Sequence, residues 1–369
     1  MKILYSCLSQ SWGGMEMFTV TAASKLKERG ITVHLLCYPN SRIESSARKV
    51  GIETIPLKAG GYFHPLKTIK LALQIQKEKY DIIHTQASKD LWILAPALKL
   101  ARSNAPLFFT KQLGSFIAKK DILHKIIYSR VTAAFAISSV IKRNLIETTP
   151  LPESKIFILH NGVDTKLFDP DKFSPSDFKE EIGIKPNELT IGMIARFTPG
   201  KGHEEFIKAA EIVSRKHENI KFIVVGEPSL GEDDYAEKIK ALASELKLND
   251  KIIFTGYRSD IPKVLAGMDI FVFPSHSEAF GIALVEAMAM KKAIVCSKAD
   301  GTLDICIDNE TGLFFEKGNH KDLANKLETL INDGTLRTLM ASNARKRAVE
   351  KFDIERVTDK VTKFYSKYL

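Results

Sequence analysis

Residues 2–37 read KILYSCLSQSWGGMEMFTVTAASKLKERGITVHLLC. A short apolar run, Lys2–Ser6, has the length and composition of a strand, a glycine-bearing loop follows at Trp12–Gly14, and the 3.6-residue apolar period then predicts a helix over Glu16–Arg29. A second apolar run, Thr32–Cys37, closes a β-α-β unit, which is the start of a parallel sheet. The same rhythm continues with a helix at 66–79, a strand at 81–84, a helix at 91–101 and strands at 107–110, 133–137 and 156–159. Between Asp164 and Glu188 the apolar rhythm stops. The chain there carries Asp169, Pro170, Asp171, Ser174, Pro175 and Pro186, the composition of a linker. Beyond it the alternation restarts, with strands at 189–195, 221–225, 251–255, 270–274 and 293–296 separated by helices at 204–217, 235–246, 261–267 and 282–290. The expected fold is α/β, with one Rossmann-like domain over 1–168 and a second over 169–352. Open parallel sheets bind ligands at the carboxyl ends of their strands.

The composition suits such a chain: 369 residues, 44% hydrophobic and 27% charged, enough for two packed domains. No apolar run approaches the ~20 residues that cross a bilayer, and the run after Lys2 is too short for a secretory signal. The expected location is therefore the cytoplasm. Cys7, Cys37, Cys296 and Cys306 lie in apolar segments without metal-ligand spacing and read as buried free thiols. Charge is unevenly placed. Residues 1–170 hold 24 Lys+Arg against 12 Asp+Glu, while the remainder holds 30 against 32. A basic first half, with Lys111, Lys119, Lys120 and Lys125 in one stretch, is either a solvated surface or one that faces an anionic membrane or acidic acceptor. No nucleic-acid-binding motif accompanies it.

The chemistry concentrates between Arg196 and Glu286. An apolar strand ends at Pro274, and Ser275-His276-Ser277-Glu278-Ala279-Phe280-Gly281-Ile282-Ala283-Leu284-Val285-Glu286 leads into a helix. The first N–H groups of that helix, at Gly281, Ile282 and Ala283, suit a diphosphate. Glu286 can accept from ribose hydroxyls and Glu278 from sugar hydroxyls. Arg196 ends an earlier strand and Lys201 follows in Thr198-Pro199-Gly200-Lys201-Gly202, so two cations stand at a strand's carboxyl end, where phosphate is a fitting partner.

Together these residues resemble family 4 of the retaining glycosyltransferases, which have the two-domain GT-B fold. Glu278 and Glu286 match the family's E-x7-E pair, and Arg196 and Lys201 its diphosphate-binding cations. His160-Asn161-Gly162-Val163-Asp164 resembles the N-G-V-D stretch closing its first domain. Gly13-Gly14-Met15-Glu16 resembles its glycine loop over the donor, and Asp300-Gly301 and Thr311-Gly312-Leu313 match weaker positions. The resemblance implies that the two domains face each other across a cleft and that a last helix, within 353–369, crosses back to the first. It implies front-face transfer of a hexose-type sugar from a nucleotide-diphosphate donor, without metal or other cofactor. The implied catalytic set is Glu278, Lys201, Arg196 and His84. Gly13, Gly14, Arg258, Phe280, Gly281, Ile282, Ala283 and Glu286 join Glu278, Arg196 and Lys201 around the donor. Gln86 and Lys111 stand on the acceptor side. Two positions depart from the pattern: Gln86 replaces the second histidine of His-x-His, and Gly301 stands alone where two glycines are usual.

The implied acceptor is a glycan or lipid-linked sugar of the bacterial cell envelope, such as lipopolysaccharide, at the inner membrane face. Two rival readings share the architecture: a nucleotide-sugar epimerase and a non-catalytic nucleotide-sugar-binding subunit. Asp169-Pro170-Asp171 spells the D-x-D by which another transferase fold holds a metal. Lying outside any strand end, it reads as turn chemistry.

Overall fold

The computed structural model describes residues 1–59, 61–228 and 231–369. The chain divides into two compact units, Met1–Gly162 with Ile354–Leu369, and Val163–Asp353.

The first unit is built on strands β1 (Lys2–Cys7), β2 (Thr32–Cys37), β3 (Glu53–Pro56), β4 (Ile82–Thr85), β5 (Leu107–Lys111), β6 (Val131–Ala136) and β7 (Ile156–Ile158). Their order is β3-β2-β1-β4-β5-β6-β7 and every pair is parallel. The order runs outward in both directions from β1 and β4, so loops leave the carboxyl ends of those two strands on opposite faces. Helix Ile354–Tyr365 completes this unit. Val361 and Tyr365 enter the core with Ile3, Tyr5, Leu35, Phe108 and Phe135, while Arg29 bonds Asp359 at 2.8 Å and Lys25 bonds Glu355 at 3.0 Å along the rim. Apolar burial carries this packing, because solvated ion pairs add little. A Cβ on Gly162 would lie 2.7 Å from the Ile354 Cα, so the helix can pack here only beside a glycine.

The second unit has β8 (Leu189–Ile194), β9 (Ile220–Val225), β10 (Ile252–Gly256), β11 (Ile270–Phe273), β12 (Ala293–Ser297) and β13 (Leu313–Phe315). They form a parallel sheet ordered β10-β9-β8-β11-β12-β13. Here β8 and β11 are the pair at which the order reverses.

Helices Arg42–Lys49, Ile122–Ser129, Ser139–Thr148, His320–Asn332 and Gly334–Lys351 were not expected, and three further features depart from the sequence reading. Strands β3 and β13 were not expected; both are short edge strands, and β3 ends in Pro56, a residue that edges tolerate because no further partner needs its N–H. The boundary between units lies at Gly162/Val163, six residues before the expected one. Val163 N–H donates to the Phe352 carbonyl at 2.8 Å and pairs with Asp353, which ties both passages of the chain together inside the second unit. Finally, the stretch expected to be a linker is folded. It contains helix Pro175–Glu181, anchored by fully buried Phe178, and Arg345 donates to the carbonyls of Phe168 (2.6 Å) and Thr165 (3.2 Å).

Candidate active site

In the second unit the residues after β8 and those after β11 meet because the two strands are neighbours at the reversal point. Gly202, in the turn after β8, has φ +81°, and a Cβ there would come within 2.3 Å of the Pro274 carbonyl oxygen at the end of β11. Only glycine lets the two loops close to this distance. His276 N–H donates to the Gly200 carbonyl at 2.8 Å across the same seam. The result is that Lys201 Nζ donates to Glu278 Oε1 at 2.6 Å, although 77 residues separate them. Both side chains keep about a fifth of their surface open, 24% and 17%.

Gly281, with φ +116°, turns the chain into helix Ile282–Ala289. A Cβ on Gly281 would press on the Phe273 ring at 3.2 Å. The first N–H groups of this helix have no carbonyl one turn earlier to receive them. Glu286 sits half-buried in its second turn, and burial raises its pKa from 4.5 to about 8. It is the residue in this group whose environment most favours a neutral hydrogen-bonding carboxyl. The loop after β12 supports Glu278 from behind. Gly301 N–H donates to the Glu278 carbonyl at 3.0 Å and Ser277 Oγ donates to Asp300 at 2.5 Å. A Cβ on Gly301 would lie 2.7 Å from the Phe280 carbonyl oxygen, so the single glycine retained there is the one this contact needs.

Arg196 is exposed just beyond β8, and Phe280 is buried against the Phe352 ring. Arg258 is committed elsewhere. Its guanidinium bonds both oxygens of Asp260 (2.8 and 2.5 Å) and Glu181 (2.5 Å), and these carboxylates hold its pKa above the ordinary arginine value. Arg258 thus forms a clasp on helix Pro175–Glu181. Sequence reasoning missed Ser275, buried at the end of β11 with its hydroxyl unpartnered, and Glu205, which meets His276 Nε2 at 2.9 Å. Position at a strand end was the available signal for Ser275. Asp169 caps the short turn Pro170–Lys172. Among the described residues, no three His, Cys, Asp or Glu side chains gather to hold a metal ion.

In the first unit, His84 and Gln86 are bonded within the fold. His84 is 1% exposed; its Nδ1 bonds the Tyr365 hydroxyl and its Nε2 the Thr110 hydroxyl at 2.7 Å. Burial lowers its pKa to about 3. Gln86 donates to the Tyr5 hydroxyl at 2.5 Å and accepts from Gln112 at 2.8 Å, and Gln112 in turn accepts from Asn161 at 2.9 Å. The cavity beside them is about 20 Å³, room for a water. With both ring nitrogens bonded, His84 holds helix Ile354–Tyr365 to the sheet. Sequence reasoning also missed Asp90, 3% exposed, which accepts from Ser6 Oγ at 2.5 Å and from Leu8 N–H at 3.1 Å and has its pKa raised to about 6 by burial. Gly13 and Gly14 begin helix Gly14–Glu28. Neither has positive φ, and a Cβ on Gly14 would meet nothing within 4 Å.

Known proteins place this geometry. The profile of the Glycosyl transferases group 1 family matches residues 175–347, and that of Glycosyltransferase Family 4 matches 12–167. The chain is a glycosyltransferase. The transferase is 27% identical to a capsular polysaccharide biosynthesis glycosyltransferase, CapM, of Staphylococcus aureus over 93% of this chain and 92% of that one. It is 26% identical to an Escherichia coli UDP-Gal:α-D-GlcNAc-diphosphoundecaprenol α-1,3-galactosyltransferase, covering 99% and 96% of the two chains. The structure of a glycosyltransferase from Rickettsia africae superimposes with a TM-score of 0.88 at 25% identity, covering 100% and 98%. The transferase has the GT-B fold.

Proposed function

We propose that this transferase moves a hexose-type sugar, with retention of anomeric configuration and without a metal ion, from a nucleotide-diphosphate donor to a hydroxyl of a lipid-linked cell-envelope glycan. The observation that carries the donor half is the Lys201–Glu278 pair, 2.6 Å apart, beside the free helix start at Gly281. Lys201, Arg196 and the N–H groups of Gly281, Ile282 and Ala283 receive the diphosphate, and Glu286 receives the ribose. Glu278, released from Lys201 when the phosphates arrive, accepts from the sugar. Cations and a helix N-terminus together supply the charge that a metal would otherwise provide. Gly13 and Gly14, which the fold does not require, leave bare backbone for a ligand to approach.

Retention follows from the family resemblance: the departing phosphate takes the acceptor's proton on the face from which it leaves. The protein's contribution is then placement and stabilisation of the developing negative charge. The lipid-linked acceptor is supported by the two relatives whose names specify diphosphoundecaprenol acceptors, the Escherichia coli enzyme and one from Campylobacter jejuni that is 25% identical. The basic first half of the chain supports work at an anionic inner membrane face, and the first donor to test is a UDP-sugar.

A thermal-shift panel of UDP, GDP and ADP tests the donor half, since a ligand of the native state alone raises the melting temperature by mass action. One nucleotide should raise it in the parent and not in Lys201→Ala. No shift from any of the three would overturn the assignment. Activity abolished by EDTA and restored by Mn²⁺ would overturn metal independence, and a product of inverted configuration would overturn retention.

A further inference from the structure

The loop after β5 carries a charge that the fold leaves uncompensated. Lys111, the last residue of β5, is 5% exposed, yet neither it nor Lys119 has a carboxylate or carbonyl partner for its ammonium among the described residues. Their charged neighbours are cations. Lys119 lies against Lys111, and Lys89 acts on Lys119. Burial, and then the charge of Lys119, lowers the Lys111 pKa to about 8. A buried ammonium held beside another cation costs stability unless an anion arrives.

The surroundings say what kind of anion. Between the two lysines, Leu113, Phe116 and Ile117 point into solvent, with Phe116 fully exposed. On helix Ile122–Ser129, Ile122, Leu123 and Ile126 are exposed at helical spacing, and the one buried residue is Tyr128. Trp92 joins this helix to the loop before helix Pro65–Glu78: its ring lies 5.1 Å from those of both His124 and Tyr62. Phe63 and Leu66 next to Tyr62 are more than 80% exposed. Residues 111–130 contain five Lys or Arg and a single acid, Asp121, whose carboxylate is bonded to the His124 ring. Exposed apolar side chains of this number, interleaved with lysines, fit the interface of an anionic bilayer.

We infer that Lys111 and Lys119, with Lys89 behind them, form a binding site for the phosphate or diphosphate head of a membrane lipid, whose chain lies along Phe116, Ile117 and Leu123. This deepens the acceptor half of the function proposed above and rests on it only for the lipid's identity as acceptor. The site needs no donor to be present.

Isothermal titration calorimetry with farnesyl diphosphate, a water-soluble single-chain diphosphate, tests it. Pyrophosphate and farnesol serve as the two halves, all in saturating UDP to occupy the other diphosphate site. Farnesyl diphosphate should bind at least about tenfold more tightly than either half. Lys111→Met should weaken it about tenfold or more, the effect of losing one charge-assisted contact, and Lys119→Gln should do the same. Lys111→Met should also melt at a higher temperature, which separates lost binding from lost folding. Phe116→Ser with Ile117→Ser should bring farnesyl diphosphate down to the affinity of pyrophosphate. Lys201→Ala should leave its binding unchanged while losing UDP, so failure of the donor reading is seen separately. Parent affinity in Lys111→Met and Lys119→Gln overturns the site. Pyrophosphate as strong as the lipid overturns the lipid assignment. A dimer in sedimentation that Phe116→Ser with Ile117→Ser dissolves gives the face to a second copy and overturns it too.

Discussion

The two units use the same place in the same topology for opposite ends. At the β8/β11 reversal the loops are pinned by glycines, but the charged tips of Lys201 and Glu278 stay partly open and, among the described residues, pair only with each other. At the β1/β4 reversal His84 and Gln86 are closed into a saturated network that runs from Tyr365 and Thr110 to Tyr5, Gln112 and Asn161. A polar residue at a strand end is therefore a candidate for chemistry only when its hydrogen-bonding capacity is left unspent. In the first unit the unspent capacity lies one strand further along, at Lys111 after β5.

The largest effect that would sharpen the contrast is on turnover. Lys201→Ala should lower kcat by roughly 100-fold or more, as expected for removing one group that stabilises developing charge, with a melting temperature close to the parent's. His84→Phe should do the reverse. It strands the hydroxyls of Tyr365 and Thr110, costing about 1–3 kcal/mol, and kcat measured well below the melting point should stay within a few-fold of the parent. A stable His84→Phe protein with collapsed kcat would erase the distinction. Both tryptophans, Trp12 and Trp92, lie in the first unit, so their fluorescence follows the unit that His84 supports.

Glycine supplies the next test. Gly202→Ala forces a left-handed conformation and a Cβ onto Pro274, and should cost about 1–3 kcal/mol, seen as a lower thermal midpoint. Gly14→Ala meets no neighbour and should change stability by less than about 0.5 kcal/mol, while weakening donor binding in calorimetry. Equal stability losses from both would remove the case for a ligand at Gly14.

The smallest effect is the sign of the pH dependence. The His84 pKa falls from 6.5 to about 3 on folding, so the unfolded chain binds more protons in that interval. Its contribution is present above pH 6.5 and lost as pH falls toward 3. The Glu286 pKa rises from 4.5 to about 8, so its contribution is present below pH 4.5 and lost as pH rises toward 8. His84→Phe should flatten the acidic slope in tryptophan fluorescence, and Glu286→Gln the neutral slope in circular dichroism. Unchanged slopes would show that these groups are not so perturbed.

Much of this was readable in the chain. Apolar periodicity reported the parallel strands because central strands are buried on both faces and cannot be polar. It missed β3 and β13, where an edge needs few apolar side chains. Lys201 and Glu278 could be singled out by their residue types after strand ends, and the structure brings these two together. The state of His84 was not legible: Tyr365, 281 residues away, uses its Nδ1, and no local pattern reports a partner at that distance. The same holds for Arg258, whose clasp depends on Glu181 in a stretch whose composition hides its helix behind prolines and charges. Phe178 is the one buried apolar side chain of that helix, too little to register as a period.

Helix Ile354–Tyr365 also sets an order on how the molecule comes into being. The unit whose strands leave the ribosome first cannot cover Phe108 and Phe135 until residues 354–365 emerge, whereas everything in Val163–Asp353 is by then available to fold. During synthesis the earlier unit must wait for the later one, so the first to begin is the last to be finished.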